Sequence, residues 1–506
     1  MKYYSTNGRA PAASLRKAVM RGLAEDRGLY MPERIPVLPR EFFENIDRMS
    51  FADASFEVAR ALFGEDVPED ALRRIVSGAL SFDTPVVPVD GPIHALELFH
   101  GPTLAFKDVG ARFMARMLSY FNDSSEPLNV LVATSGDTGS AVANGFLGVE
   151  GIRVFVLYPK GKVSPIQECQ FTTLGGNITA LEVDGVFDDC QALVKSAFMD
   201  AELCAHMRLT SANSINVARF LPQSFYYFRA YAQLKAAGLV NGPADGLSGA
   251  GSSDLVICVP SGNFGNICSA LFAKRMGLPV KRFIAANNAN SVFYEFLRDG
   301  AYRPRPSVQT LANAMDVGDP SNFARVIDLY SNFSSGVRTD CSSGAGFSVR
   351  TGTATTAEAA ADPAVWQAVR SDISGATYSD AQIAETIRDV YGRTGYICDP
   401  HGACGYRALR DSLRPGETGV FCETAHPAKF YDTVTGILAG GGDSRAAALL
   451  SRRPEGPRMD VAAALAVPER TVLEIPERLA AFMKGEKQSV PMSASYSEFR
   501  EYLMQQ

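Results

Sequence analysis

From about residue 95 onward the chain alternates short apolar runs with helical stretches, and this rhythm restricts the fold more than any other feature. Asn129-Val-Leu-Val-Ala-Thr, Arg153-Val-Phe-Val-Leu-Tyr, Ile178-Thr-Ala-Leu-Glu-Val, Asp254-Leu-Val-Ile-Cys-Val and Lys281-Arg-Phe-Ile-Ala-Ala read as buried strands. Helices are predicted from Val109 to Tyr120, from about Ser140, from Asp188 to about His206, near Leu221 to Ala237 and from Ile267 to Met276. Strands alternating with helices of about 10 to 15 residues build βαβ units and mostly parallel sheets. In such sheets ligands bind beyond the carboxyl ends of the strands, where glycine-rich turns lead into helices. The first 95 residues have a different texture. Helical spacing over Leu15 to Leu23 and Phe56 to Leu62, separated by Pro/Gly clusters, predicts a helical opening region.

Composition narrows the function classes. A chain of 506 residues has room for about three domains. With 46% hydrophobic and 21% charged residues it has the balance of a soluble globular protein. A net charge of -6 gives no electrostatic case for nucleic acid, although a local basic pocket can still hold a small anion. Nine cysteines without a CxxC pair favour reduced thiols over a disulfide framework. The opening MKYYSTNGRAPAASL lacks the apolar core of a signal peptide, and no run of about 18 apolar residues occurs. A cytoplasmic protein with no membrane partner is the expectation. Asn241 to Ser253 and residues 331–364, rich in Ser, Gly, Ala and Thr, are expected to be surface insertions.

Four motifs could carry chemistry. In Phe99-His-Gly-Pro-Thr-Leu-Ala-Phe-Lys-Asp-Val-Gly, Lys107 follows an apolar run at the start of a helix. A partly desolvated lysine loses its proton more easily, which suits imine formation; an ordinary solvated lysine at a helix N-terminus is the competing reading. Thr134-Ser-Gly-Asp-Thr-Gly-Ser opens a helix after a strand, so its amides and hydroxyls can hold a carboxylate, or simply cap the turn. Pro260-Ser-Gly-Asn-Phe-Gly-Asn sits in the same context and can hold a phosphate, yet it is neither GxGxxG nor a P-loop. Cys422-Glu-Thr-Ala-His-Pro-Ala-Lys-Phe puts Thr424 at a strand end, where a hydroxyl can meet a ring nitrogen or be a satisfied core group. His426 in that motif reads more readily as a buried, hydrogen-bonded histidine than as a catalytic one. The chain has no GxSxG, HExxH or EF-hand pattern, and its five histidines show no metal-ligand spacing, so no metal is expected.

Taken together the motifs resemble the threonine synthases, within the fold-type-II family of pyridoxal-phosphate enzymes. The likeness rests on ELFHGPTLAFKD (Glu97 to Asp108), ATSGDTGSAVA (Ala133 to Ala143), LYPKGKVSPIQ (Leu157 to Gln167), TLGGNI (Thr173 to Ile178), NSINVARFLPQ (Asn213 to Gln223), VPSGNFGN (Val259 to Asn266), NAMDVGDPSN (Asn313 to Asn322) and TAHPAKF (Thr424 to Phe430). It runs from the first residues to about Leu438. The fold implied is α/β, tryptophan-synthase-β-like, with two parallel-sheet domains plus the helical N-terminal region. The expected division is 1–95, a catalytic region 96–440 with a smaller subdomain at about 125–230, and a C-terminal tail 441–506.

The resemblance implies pyridoxal 5'-phosphate as cofactor, with Lys107 forming the Schiff base and moving protons. Gly262, Asn263, Phe264, Gly265 and Asn266 would hold the cofactor phosphate. Asp137 stands where relatives commonly place an Asn near the phenolic oxygen, and Thr424 would face the pyridine nitrogen. Thr134, Ser135 and Thr138 would seat the substrate carboxylate. Lys160, Lys162, Ser164, Asn216 and Arg219 are candidates for the substrate phosphate, where charge-assisted hydrogen bonds suit the ligand. The reaction implied is conversion of O-phosphohomoserine and water to threonine and phosphate, by a monomer or homodimer. A related dehydratase or phospho-lyase releasing a keto acid shares Lys107 and the phosphate loop but not both HGPTLAFKD and TAHPAKF. A non-catalytic sensor of cofactor or phosphorylated amino acid is the rival from another class, and intact Lys107, both glycine loops and Thr424 argue against it.

Overall fold

The structure is a computed structural model and describes residues 1–240, 253–332, 359–439 and 473–506. Of the two expected insertions, 241–252 and 333–358 lie outside the described residues, while the ends of the second carry the close of the helix Phe323–Asn332, the strand Ala359–Ala360 and the start of the helix Pro363–Asp372. The chain forms two compact units, one of residues 1–100 and 214–425, the other of residues 101–213 and 426–506.

The first unit is built on a six-stranded sheet in the order Ile373–Thr377, Arg282–Asn287, Asp254–Pro260, Glu417–Glu423, Ile93–Glu97, Val86–Asp90. The first five are parallel, and Val86–Asp90 joins antiparallel at one edge. Every residue of Glu417–Glu423 is buried, as expected of a strand covered on both faces, and its central stretch Gly419–Cys422 is apolar accordingly. Pro88 lies in the edge strand beside a register shift, where a missing N–H costs the ladder least. The opening region holds the expected helices, Leu15–Arg21 and Phe51–Phe63, and also a three-stranded antiparallel sheet centred on Lys2–Ser5. Its strands are two to four residues long, too short for alternation to register in the sequence.

The second unit carries a five-stranded, wholly parallel sheet in the order Ser489–Ser493, Ile178–Asp184, Ile152–Pro159, Leu128–Ala133, Arg208–Ser211. The segment expected as a tail supplies the strand Ser489–Ser493. It also supplies the helix Tyr496–Met504, whose Phe499 and Leu503 pack with Leu131, Phe155, Leu181 and Leu193 in the core. The helix expected from Asp188 to His206 is two helices, Phe187–Met199 and Ala201–His206. Asp200 causes the break. Its carboxylate caps the second helix through the Leu203 amide and takes Tyr496 Oη and Arg500 Nε at 2.8 Å each, partners that continuous helix could not reach.

Candidate active site

In the first unit the strand Asp254–Pro260 runs into the turn Ser261–Phe264 and the helix Gly265–Arg275. No side chain caps this helix, so its first-turn N–H groups remain open donors. The turn is shaped by close approach. A Cβ on Gly262 would lie 2.5 Å from the Ala314 carbonyl oxygen and 3.0 Å from Met315 Cα. Phe264 adopts left-handed backbone angles (φ 62°) at a cost of about 1–3 kcal/mol, compensated by its ring packing 4.6 Å from that of Phe293. Asn263 is tied on both ends of its amide: Nδ2 donates to Ser214 Oγ at 2.9 Å and Oδ1 accepts the Ser321 N–H at 2.6 Å. Asn322 Nδ2 adds a bond to the Asn263 carbonyl at 2.9 Å, so the NAMDVGDPSN motif acts as the brace of this turn.

Asn266 points the other way. Its Oδ1 accepts both the Tyr226 and Tyr227 hydroxyls, and its buried Nδ2 has no protein partner. Two hydroxyls on one amide oxygen fix the flip and leave the NH2 as a donor for a ligand. Gly262→Ala is therefore expected to push the turn off Ala314 and weaken cofactor binding by about tenfold or more, read by equilibrium titration with pyridoxal phosphate. Thr424 follows the end of Glu417–Glu423 and is 6% exposed; among the described residues its hydroxyl takes no protein partner.

In the second unit Lys107 is the first residue of the helix Lys107–Phe121, half-buried, with Nζ 5.5 Å from the centre of the Phe106 ring. Leu104, three residues earlier, is left-handed (φ 57°), so both this loop and the Phe264 turn hold a strained non-glycine residue. Asp108 is buried, and its carboxyl accepts the Thr103 N–H at 2.8 Å and the Thr103 hydroxyl at 2.7 Å. Burial pushes it up to about 6 against those bonds and the charges of Lys429 and Arg112. An acid raised from its ordinary value near 3.8 binds protons in the folded state that the unfolded chain has lost. Its contribution to stability is thus present below about 4 and declines as pH rises to about 6. Asp108→Asn is expected to flatten that slope, measured as urea midpoints between pH 4 and 7.

The turn Thr134–Gly136 leads from Leu128–Ala133 into the helix Asp137–Phe146. Thr134 Oγ1 accepts the Gly136 and Gly139 amides at 2.9 and 2.8 Å and donates to the Gly136 carbonyl at 3.1 Å, so its hydroxyl is spent on the turn. Ser135 and Thr138 are partly exposed. Asp137 is buried and forms an ion pair of 2.6 Å with Lys429 Nζ, which is fully buried and also donates to the Thr103 carbonyl at 2.9 Å. Gln167 Nε2 donates to the same Asp137 oxygen at 2.9 Å. Burial opposes ionisation of Asp137, but Lys429 and then Lys107 outweigh it and hold the carboxyl well below the usual range. Lys429 was given no role from the sequence, although it stands inside TAHPAKF. Its apolar neighbours Ala428 and Phe430 were the one hint.

The residues proposed for a substrate phosphate divide. Lys160 and Lys162 are exposed after the strand Ile152–Pro159. Ser164 caps the helix Pro165–Thr172 and donates to Gln167 Oε1 at 3.0 Å. In the first unit Asn216 is buried with Oδ1 on the Ala218 N–H and Nδ2 on the Val19 carbonyl at 2.8 Å, and Arg219 is 2% exposed. His426 uses Nδ1 to accept the Ala428 N–H at 3.1 Å, a capping bond.

Comparison with known proteins gives consistent matches. The family described as Threonine synthase N terminus matches residues 2–80, and the family described as Pyridoxal-phosphate dependent enzyme matches residues 81–340. The threonine synthase of Serratia marcescens is 43% identical over 438 residues, covering 87% of this chain and 91% of the relative. That of Escherichia coli (strain K12) is 42% identical over the same shares. Among solved structures, threonine synthase from Escherichia coli superposes with a TM-score of 0.80 at 37% identity, covering 100% of both chains. PLP-bound threonine synthase from Brucella melitensis gives 0.82 at 32%, covering 100% of this chain and 99% of that one. The chemistry within each unit fits that cofactor: in the first, the orphaned Asn266 Nδ2 and the uncapped helix suit a phosphate and Thr424 offers a neutral hydroxyl; in the second, Lys107 offers an amine.

Proposed function

This chain belongs to the threonine synthase family, and on that premise we propose that it converts O-phospho-L-homoserine and water to L-threonine and phosphate. The single observation that supports the reading most is the pair of donors left open around the Gly262–Asn266 turn, the Asn266 Nδ2 and the uncapped helix. Pyridoxal phosphate, when bound, supplies the electron sink for γ-elimination of phosphate and β-addition of water. Lys107 would be the attachment residue, and its amine would move protons at the α carbon and then at the β carbon. Gly262, Asn263, Phe264, Gly265 and Asn266 hold the cofactor phosphate. Thr424 would present a hydroxyl, not a charge, to the pyridine nitrogen.

Asp137 would lie near the phenolic oxygen, and its ion pair with Lys429 would keep that carboxylate from repelling it. Ser135 and Thr138 contact the substrate carboxylate while Thr134 holds their turn in shape. Lys160 and Lys162 in the second unit and Arg219 in the first are the candidates for the substrate phosphate, with Ser164 and Asn216 fixing the turns next to them. Departing phosphate is the remaining acid or base. We place the protein in the cytoplasm as a monomer or homodimer; no helix among the described residues is long and apolar enough to cross a membrane.

Running the reaction in 18O-labelled water tests the proposal. The label is expected in the threonine hydroxyl, with unlabelled phosphate formed in equal amount. Labelled phosphate with homoserine would make the protein a phosphatase, and 2-oxobutyrate in place of threonine would make it a lyase.

A further inference from the structure

Behind the first unit's two ligand turns lies a buried acid–histidine pair to which the reaction above gives no task. Asp399 caps the helix Pro400–Ser412, its Oδ1 accepting the His401 and Gly402 amides at 2.6 and 3.3 Å. The same oxygen meets His401 Nδ1 at 2.6 Å, while Oδ2 accepts the Ala425 N–H at 3.0 Å. Across the ring, His401 Nε2 accepts the Ala314 N–H at 3.1 Å. An acceptor is needed at Nε2 and a donor at Nδ1, so these bonds specify one neutral tautomer. Neither residue is more than 2% exposed.

Both ends of this chain of bonds reach the site. Ala314 is the residue against whose carbonyl Gly262 packs, and Ala425 shares its peptide with Thr424. Glu423, just before Thr424, accepts the Asp399 N–H, and a Cβ on Gly402 would lie 1.5 Å from its other oxygen. Helix capping alone explains the two amides on Asp399. It leaves the ring bond to Ala314 and the carboxylate bond to Ala425 without a reason.

We propose that Asp399 and His401 are positioning residues that couple the phosphate turn at Gly262 to the loop carrying Thr424. The hold on the cofactor phosphate and the placement of the Thr424 hydroxyl then change together. The inference rests on the cofactor reading above, and its test separates the two.

His401→Asn keeps a donor where Nδ1 was but cannot reach Ala314, whereas His401→Gln reaches Ala314 but leaves Asp399 without its ring donor. Both leave the Asp399 cap intact. On purified holoenzyme, each is expected to fold, to raise the pyridoxal phosphate dissociation constant by about tenfold, and to shift the visible absorption band of the bound cofactor. Thr424→Ala combined with His401→Asn is expected to be non-additive in that constant, costing clearly less than the product of the single effects. Folded variants with the wild-type dissociation constant and band, a change confined to thermal midpoint, or strict additivity with Thr424→Ala would each overturn the coupling. A wild-type protein that takes up no pyridoxal phosphate would instead overturn the functional reading.

Discussion

Lys107→Ala is expected to lower threonine formation by a factor of about a thousand or more while leaving the fold intact. The loss is large because the proposed function asks one amine to serve both as attachment and as proton carrier, and removing a group with two roles is not offset by the other residues. The fold survives because the lysine is half-buried at the first position of its helix, where alanine is a good helix former. Asp137 also keeps its ion pair with Lys429 in the variant. Steady-state assay of threonine alongside a thermal midpoint separates the two effects. A midpoint within a few degrees of wild type, with activity gone, is the predicted combination.

Lys429→Met is expected to be the most destabilising single substitution among the site residues, by about 3–5 kcal/mol. Lys429 is fully buried and Asp137 nearly so, and removing the ammonium leaves a carboxylate in a dry setting with Gln167 as its remaining short-range donor. Lys107 also attracts that carboxylate, at longer range. Replacing both partners, as Lys429→Met with Asp137→Asn, is expected to recover most of the loss, because the cost lies in the unpaired charge. The pH dependence has a definite sign. Asp137 is depressed in the folded state, so its contribution is present above its ordinary value of 3.8 and is lost as pH falls toward the folded one. Lys429→Met removes the main source of that depression, and its stability deficit should shrink in acid. Urea midpoints across pH 3 to 7 check both the size and the slope.

Much of the scaffold was legible because it is local. A strand buried on both faces is a nearly continuous apolar run, and the turns after Ala133 and Pro260 carry the glycines that a sharp strand-to-helix entry needs. The resemblance then assigned Lys107, the Gly262–Asn266 turn and Thr424, which lie at the strand and helix ends where such a fold places ligands. What escaped the sequence is pairing between distant residues. Nothing near Lys429 announces Asp137, and nothing near Asp399-Pro400-His401 announces Ala314 or Ala425. The strand Ser489–Ser493 was hidden for a related reason: its neighbour in the sheet, Ile178–Asp184, is far away in the chain. Asp200 shows the opposite case, where a local cap broke a helix that apolar spacing alone would have continued.

Reductive trapping is the most direct test of the central claim, that Lys107 and not its buried neighbour Lys429 carries the cofactor. The cofactor-loaded protein would be treated with borohydride, digested, and its modified peptide sequenced by mass spectrometry. The account predicts a single pyridoxyl-lysine at Lys107. Modification at Lys429, with Lys107 untouched, would contradict it.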